Sequence, residues 1–196
     1  MSDERLERWL DELLETPGLT AITGREDGYR VHVEGSLAAL PLVARFDGPI
    51  VDVGSGGGSP GIPLAAALPE RGVTLLEANA RKAAFLERIA GSFANVRVIR
   101  GRAEEQNVDE YGVAVARALA PPPVAAEWCL PLVREGGGAV LYVGPTADLE
   151  AVRRVAAKLG GGEPELVAGV LVVPKVSPTP LGFPRRPGMA RKRPLA

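Results

Sequence analysis

Ile50-Val51-Asp52-Val53-Gly54-Ser55-Gly56-Gly57-Gly58-Ser59-Pro60-Gly61-Ile62-Pro63-Leu64-Ala65 is the stretch that decides the fold. A short apolar run carries an acid near its end, a glycine-rich turn follows, and an apolar segment then restarts with helical character. That pattern predicts a buried parallel strand, a tight loop and the first turn of a helix. Glycines let the backbone approach a ligand closely and take positive φ. The free N–H groups of such a loop and of the helix start offer a place for an anion or carboxylate. A nucleotide-like cofactor is the expected ligand.

Two motifs overlap in this stretch. Gly56, Gly58 and Gly61 fit the dinucleotide fingerprint G-x-G-x-x-G, a weak signal alone. Asp52, Gly54, Gly56 and Gly58 spell D-x-G-x-G-x-G, the pattern of S-adenosylmethionine (SAM) methyltransferases. SAM has no diphosphate, so the loop would wrap its amino-acid and ribose end, where a carboxylate can meet the ammonium group. Asp52, just before the first glycine, favours SAM over NAD. A glycine-rich turn with no ligand is the remaining alternative.

Working outward, 196 residues with 46% hydrophobic and 24% charged side chains predict one folded domain with modest terminal additions. Aromatics are only 5%, so the core must be built from Ala, Val and Leu. No apolar run approaches the ~20 residues that span a bilayer. The acids Asp3, Glu4 and Glu7 speak against a leader peptide. A cytoplasmic location without a membrane partner is the expectation. Cys129 is the only cysteine, which excludes an intrachain disulfide and a cysteine zinc site, and its apolar surroundings predict a buried thiol. His32 is the only histidine, which excludes any mechanism needing two, and no metal site is expected.

The net charge of −1 conceals a segregation. Leu166–Ala196 holds six basic residues and no acid, leaving 17 basic and 24 acidic residues before it. An acidic body with a basic end fits a localised contact with a polyanion, and fits equally a solvated tail that aids solubility.

Upstream, Leu6, Trp9, Leu10, Leu13 and Leu14 have helical spacing, with Ser2 or Asp3 as cap and Pro17-Gly18 as stop. Residues 19–35 look irregular, and Ser36–Leu42 a second short helix ended near Pro41. Residues 1–48 thus form a helical extension, 49–178 the cofactor-binding core and 179–196 a basic, Pro/Arg-rich tail.

The core alternates strands Ile50–Val53, Val73–Leu76, Val96–Ile99, Val113–Val115 and Ala139–Val143 with helices Ile62–Leu68, Ala80–Ala90, Pro123–Val133 and Ala147–Leu159. A short turn of helix is expected near Ala103–Glu105, a turn at Gly136-Gly137-Gly138, and a late strand over Leu166–Val173. Repeated strand–helix units predict a parallel sheet covered on both faces, with ligands outside the carboxyl ends of the strands. Strand ends are therefore candidates. Glu77 can accept from both ribose hydroxyls of a cofactor, or be a solvated surface acid. Ala103-Glu104 can face adenine, or Glu104 can cap a helix turn. Arg117 can bind a cofactor carboxylate or substrate phosphate, or form a structural ion pair.

The same residues resemble the RsmG (GidB) family, the small-subunit rRNA guanine-N7 methyltransferases. The loop with its continuation Pro60-Gly61-Ile62-Pro63-Leu64 is the specific part. Leu76-Glu77, Arg81-Lys82, Phe85-Leu86, Asn95-Val96, Gly101–Glu105, Ala116-Arg117-Ala118-Leu119 and Phe183–Gly188 with Lys192 and Pro194-Leu195 follow in order. Leu19-Thr20-Ala21-Ile22 and His32 with Ser36-Leu37 match the upstream signature.

The resemblance implies an α/β fold, a doubly wound, mostly parallel sheet of the class I SAM-dependent methyltransferase (Rossmann-like) type with a small N-terminal helical cap. SAM would be held by Asp52, Gly54, Gly56, Gly58, Ser59, Glu77, Ala103, Glu104 and Arg117. Arg185, Arg186, Arg191 and Lys192 would lie toward RNA, with Arg117 and His32 orienting substrate. The expected partner is 16S rRNA or the small ribosomal subunit, met by a monomer.

Three positions depart from the family pattern. Gly35 stands where an Asp is usual, with Glu34 beside it as a stand-in. Val143 stands where a Lys-Gly pair is usual, and Ser59 replaces a common apolar residue.

Guanine N7 has a free lone pair at neutral pH, so no catalytic acid or base is expected, and positioning and electrostatics carry the reaction. That atom is hidden in an A-form helix, which predicts a loop or splayed base as substrate. Two other classes fit the motifs: a SAM-dependent methyltransferase for a small molecule, and a non-catalytic SAM- or RNA-binding relative. The small-molecule reading predicts that removing residues 179–196 leaves turnover intact.

Overall fold

The computed structural model describes residues 3–144 and 147–196. Its first helix, α1 (Glu4–Glu15), is capped by Asp3, whose carboxylate accepts from the Arg5 N–H at 2.9 Å. Ser2, the alternative cap, lies outside the described residues. The apolar stripe of α1 buries Trp9, Leu10 and Leu13.

The segment expected to be irregular is largely helical. α2 (Arg25–Gly28) runs through a π-helical stretch, Tyr29–Glu34, into α3 (Gly35–Leu37). Polar residues disguise this piece because one side of it faces a cleft. The next helix, α4 (Leu40–Val43), has Pro41 in its first turn. A proline there forfeits no helical hydrogen bond, so it starts this helix rather than ending the one before.

Seven strands follow: β1 (Ile50–Val53), β2 (Val73–Glu77), β3 (Val96–Arg100), β4 (Tyr111–Arg117), β5 (Val133–Tyr142), β6 (Glu165–Val167) and β7 (Val170–Pro174). They form one sheet ordered β3-β2-β1-β4-β5-β7-β6. The pairings among β1–β5 are parallel, whereas β7 runs antiparallel to β5 and β6. The strand order reverses between β1 and β4, which opens a crevice at their carboxyl ends. Helices α5 (Gly61–Ala67), α6 (Ala80–Ala90), α7 (Pro122–Cys129), α8 (Leu149–Ala157) and α9 (Met189–Lys192) complete the described fold. No helix among the described residues is long and apolar enough to cross a membrane.

Alternation along the central strand sorts the core into two faces. Val113 and Val115 of β4 point to the side of Trp9, Leu64, Phe85 and Leu86. Ala114 and Ala116 point to Ala126, Cys129, Val152 and Val155. On this second face α7 packs on β4 and β5 with α8 against it, and Cys129 is buried there.

Several boundaries differ from the pattern in the sequence. β4 is longer than Val113–Val115 at both ends. The helix read over Pro123–Val133 stops at Cys129, a 3₁₀ turn spans Leu130–Leu132 around Pro131, and Val133 already belongs to β5. The late strand over Leu166–Val173 is a hairpin instead. Ala168 and Gly169 both take positive φ, the geometry of a two-residue hairpin turn, and an apolar Ala in the turn hides the usual signal.

Gly136-Gly137-Gly138 is not a turn between elements but an irregularity inside β5. Pairing with β4 shifts there from Tyr111↔Val133 to Val113↔Gly138. The absence of side chains lets the chain before β1 lie flat on the strand, since a Cβ on Gly138 would come within 2.4 Å of the Phe46 ring. Gly138→Ala should therefore cost about 1–3 kcal/mol of stability by overpacking, read as a lower midpoint in urea unfolding with unchanged slope.

Candidate functional site

The glycine loop leaves β1 at Gly54 and re-enters regular structure at Gly61, the start of α5. Gly54 has φ +71°, and a Cβ there would approach Leu119 Cδ1 to 2.4 Å, so position 54 needs glycine for both conformation and space. The loop is held from several sides. Asp52 Oδ2 accepts from the Gly61 N–H at 2.9 Å. Ser55 Oγ donates to the Asp52 carbonyl at 2.8 Å. Trp9 Nε1 donates to the Gly57 carbonyl at 2.8 Å. Glu77 Oε2, at the end of β2, accepts from the Gly56 N–H at 2.9 Å, while its Oε1 accepts from the Asn79 N–H at 2.8 Å.

Two cavities meet at this loop, sharing Gly54, Lys82 and Ala118 in their walls. One, of about 340 Å³, extends over Glu77, Ala103, Glu104 and Trp128 to Gly188 and Arg191. The other, of about 300 Å³, is lined by Gly56, Ser59, His32 and Arg117. Together they form a cleft over the carboxyl ends of β1, β2 and β4, where the order of strands predicts a ligand.

In the second cavity Arg117 projects from the end of β4. Its Nη1 donates to the Val31 carbonyl at 2.8 Å and to Ser59 Oγ at 3.2 Å. Ser59 Oγ also shares a 2.9 Å hydrogen bond with Ser36 Oγ, which itself donates to the His32 carbonyl at 2.6 Å. His32 Nε2 shares a 2.9 Å hydrogen bond with Thr20 Oγ1, whereas its buried Nδ1 has no partner among the described residues. Burial, and then the Arg117 charge, push the imidazole pKa below its ordinary 6.5, so the ring is neutral at neutral pH. Burial lowers the Arg117 pKa as well, and an arginine stays cationic throughout. The π-helical stretch that sequence periodicity missed is thus what carries His32 and the Val31 carbonyl to the cleft.

Gly35 faces Arg117 directly: a Cβ at this position would lie 3.7 Å from Nη1. An aspartate there would pair with the guanidinium. Glu34 does not replace it. It is exposed and sits in the charge environment of Arg30, and no ion pair joins it to Arg117 among the described residues. Val143 packs against the face of the sheet covered by α7 and α8 and brings no charge to the cleft.

Asp52 is corrected by the structure. It is 1% exposed and lies beneath the loop, outside the walls of both cavities. Its role is to brace the loop: Oδ2 is bonded to the Gly61 N–H, and the buried side chain does not face the cleft. Burial pushes its pKa up to about 7, against the Gly61 N–H, which favours the anion.

The tail also differs from expectation. Of the four basic residues expected toward RNA, Arg185 is a structural pin: its Nε and Nη2 donate to the two oxygens of Glu127 at 2.6 and 2.7 Å. Arg191 lies over the Trp128 ring, 5.1 Å from its centroid. Arg186 and Lys192 are exposed. Residues 179–196 are docked on the core, as Lys158 Nζ donating to the Leu195 carbonyl at 2.9 Å also shows.

Lys82, Trp128, Gly188 and Ala118 were not singled out by sequence reasoning as cleft residues. Lys82 could have been, lying in the first turn after the β2 loop. Ala118 takes φ +51°, an unusual conformation for a residue with a Cβ and one that gathers at functional sites.

Comparison with known proteins gives concordant results. A family model described as rRNA small subunit methyltransferase G (GidB) matches residues 3–164. The ribosomal RNA small subunit methyltransferase G of Synechococcus sp. (strain JA-3-3Ab) is 36% identical, over 92% of this chain and 79% of that protein. Its counterpart from Pelotomaculum thermopropionicum is 39% identical, over 90% and 82%. Among solved structures, geranyl diphosphate C-methyltransferase from Streptomyces coelicolor A3(2), in complex with Mg2+, geranyl diphosphate and S-adenosyl-L-homocysteine, superposes with a TM-score of 0.55 at 14% identity. The match covers 80% of this chain and 69% of that one. The fold is that of the class I methyltransferases.

Two tests follow from the buried groups. Arg185→Ala strands a Glu127 carboxylate that is only 4% exposed, and should cost about 3 kcal/mol in urea unfolding. For Asp52, the folded pKa of about 7 lies above the ordinary 3.8. The stability it contributes is full below the lower value and is lost as pH rises through the higher one. Asp52→Asn keeps an acceptor for Gly61 and cannot titrate. Thermal unfolding across this window should show the parent's advantage over the variant shrinking by up to about 1.4 kcal/mol per pH unit, then levelling.

Proposed function

The chain belongs to the family of ribosomal RNA small subunit methyltransferases G, and on that premise we propose that it methylates N7 of a guanine in a loop of small-subunit (16S) ribosomal RNA. Its cofactor is SAM. The observation that carries the proposal is the polarity of the cleft. A strand-end carboxylate, Glu77, stands on one side of the glycine loop, and a half-buried cation, Arg117, with a neutral His32 on the other.

The residues present fit SAM. Glu77 already accepts from backbone amides, so its oxygens lie where ribose hydroxyls can take over such bonds. Gly54 and Gly56, without side chains, let the cofactor reach the backbone, and Gly58 with φ +101° shapes the turn behind them. Ala103 and Glu104 wall the adenine side. Ser59 and Arg117 face its methionine end, where the guanidinium binds a carboxylate or a phosphate. When bound, SAM supplies an electrophilic methyl group on a sulfonium, which is already a good leaving group.

The protein's part is then orientation. Guanine N7 needs no base to free its lone pair, so the half-buried Arg117 and the neutral His32 position substrate rather than move a proton. The exposed Arg186 and Lys192 supply phosphate contacts, which makes binding salt-dependent. Such a substrate is met in the cytoplasm. Deleting residues 179–196 does not separate this reading from a small-molecule methyltransferase, because Gly188 and Arg191 line the cleft.

The decisive experiment is transfer of labelled methyl from SAM to small-subunit rRNA lacking its N7-methylguanine, as naked RNA and as assembled particles. Label recovered as N7-methylguanine is the expected result, with Arg117→Ala lowering the rate roughly 100-fold. A rise in KM for SAM in that variant assigns Arg117 to the cofactor carboxylate, and a rise for RNA assigns it to a phosphate. Transfer to neither form, despite SAM binding, overturns the proposal. With no general base involved, kcat should stay flat above the titration of Asp52, between about pH 8 and 9.

A further inference from the structure

The carboxyl-terminal segment does more than carry positive charge. It crosses the mouth of the 340 Å³ cavity and is tied down on both sides of it. Arg185 is fixed to Glu127 on α7. The Gly188 N–H donates to Glu104 Oε1, in the loop after β3, at 3.1 Å. Arg191 Nη2 points to the Leu119 carbonyl, in the loop after β4, at 3.4 Å. The segment thus bridges the two loops that flank the nucleoside side of the cleft.

We propose that this strap is part of the cofactor site, with Arg191 and Trp128 together forming the wall that closes on the adenine of SAM, so that Arg191 serves the cofactor and not RNA. The guanidinium lies over the indole ring at 5.1 Å, an arrangement that holds a flat cation in a fixed plane. Both side chains line the cavity alongside Glu77, Ala103 and Glu104. Trp128 Nε1 itself is buried, without a partner among the described residues. An indole N–H is a donor only, and a buried donor left unpaired is costly. Adenine offers a π-face that stacks on a guanidinium or indole plane, which suits this wall. A second division of labour follows on the same strap. Arg186 and Lys192 are exposed and have no side-chain hydrogen bond or ion pair among the described residues, which leaves them for phosphate.

This inference rests on SAM as cofactor and not on which RNA atom receives the methyl group. It is tested by calorimetric titration of S-adenosylhomocysteine, with no RNA present, into the full chain and its variants. Arg191→Ala should weaken binding about tenfold while the thermal midpoint without ligand stays within a degree or so, as suits an exposed side chain. Arg191→Lys keeps the charge but loses the planar stack, and should weaken binding as well. Trp128→Phe keeps an aromatic face without the donor and should weaken binding by a smaller factor. Arg186→Ala should leave it unchanged. In parallel, an rRNA fragment titrated at fixed salt should bind the Arg191 variant like the parent. Unchanged S-adenosylhomocysteine affinity in Arg191→Ala, with weaker RNA binding, returns the residue to the RNA surface and overturns the proposal, as does a parent chain that does not bind this probe. Weaker binding of the probe in a chain that methylates no RNA upholds the strap while removing the substrate reading.

Discussion

The bond from the Gly61 N–H to the buried carboxylate of Asp52 holds the architecture of the cleft. A carboxylate near the end of an apolar strand is expensive to bury, and this one keeps an oxygen, Oδ1, without a partner among the described residues. What it achieves is to lock the end of β1 to the start of α5, so the chain between them closes as one short loop. Everything facing the cleft is then referred to that loop. Glu77 is registered by the Gly56 amide, α1 by the Gly57 carbonyl, and the π-helical stretch by Ser59.

A second layer of order comes from what the loop lacks. A Cβ on Gly57 would come within 2.3 Å of Leu13, and one on Gly61 within 2.4 Å of Leu75. These glycines are therefore packing residues of the core as much as ligand-facing ones. The helical segment before β1 is consequently pressed against the back of the loop, which places His32 and Gly35 opposite Arg117. Without a carboxylate at position 35, the guanidinium is satisfied by a carbonyl and a hydroxyl among the described residues, with no carboxylate partner among them.

Much of this was legible in the residues themselves. The limits of β1 and the helix Ala80–Ala90 follow from their apolar patterns, because both elements are clean in period. Glu77, Ala103, Glu104 and Arg117 fall on cavity walls because strand ends in a parallel sheet converge on one edge. What escaped did so for physical reasons. A π-helical turn follows neither a 3.6 nor a two-residue repeat, so Tyr29–Glu34 had no pattern to betray it. Of the three glycines in β5, Gly138 marks the close approach of Phe46 and Gly137 that of the Gly112 carbonyl, tertiary events that imitate a turn locally. Arg185 looks like its neighbour Arg186 in sequence, and only the distant Glu127 distinguishes them. Asp52 reads as a ligand for the same reason it serves as a brace: both roles need an acid at the end of β1.

The chain holds two tryptophans, and the fold sets one behind the glycine loop and the other in the wall of the cleft. Trp9 is buried behind the glycine loop with its N–H bonded to Gly57, and Trp128 stands in the nucleoside wall with its N–H unpaired among the described residues. Their emission should therefore differ before any ligand arrives, since one indole sits in a hydrogen-bonded apolar setting and the other against the Arg191 cation. The protein carries its own pair of optical reporters, one for the posture of the loop and one for the closure of the wall, and neither needs a label to be read.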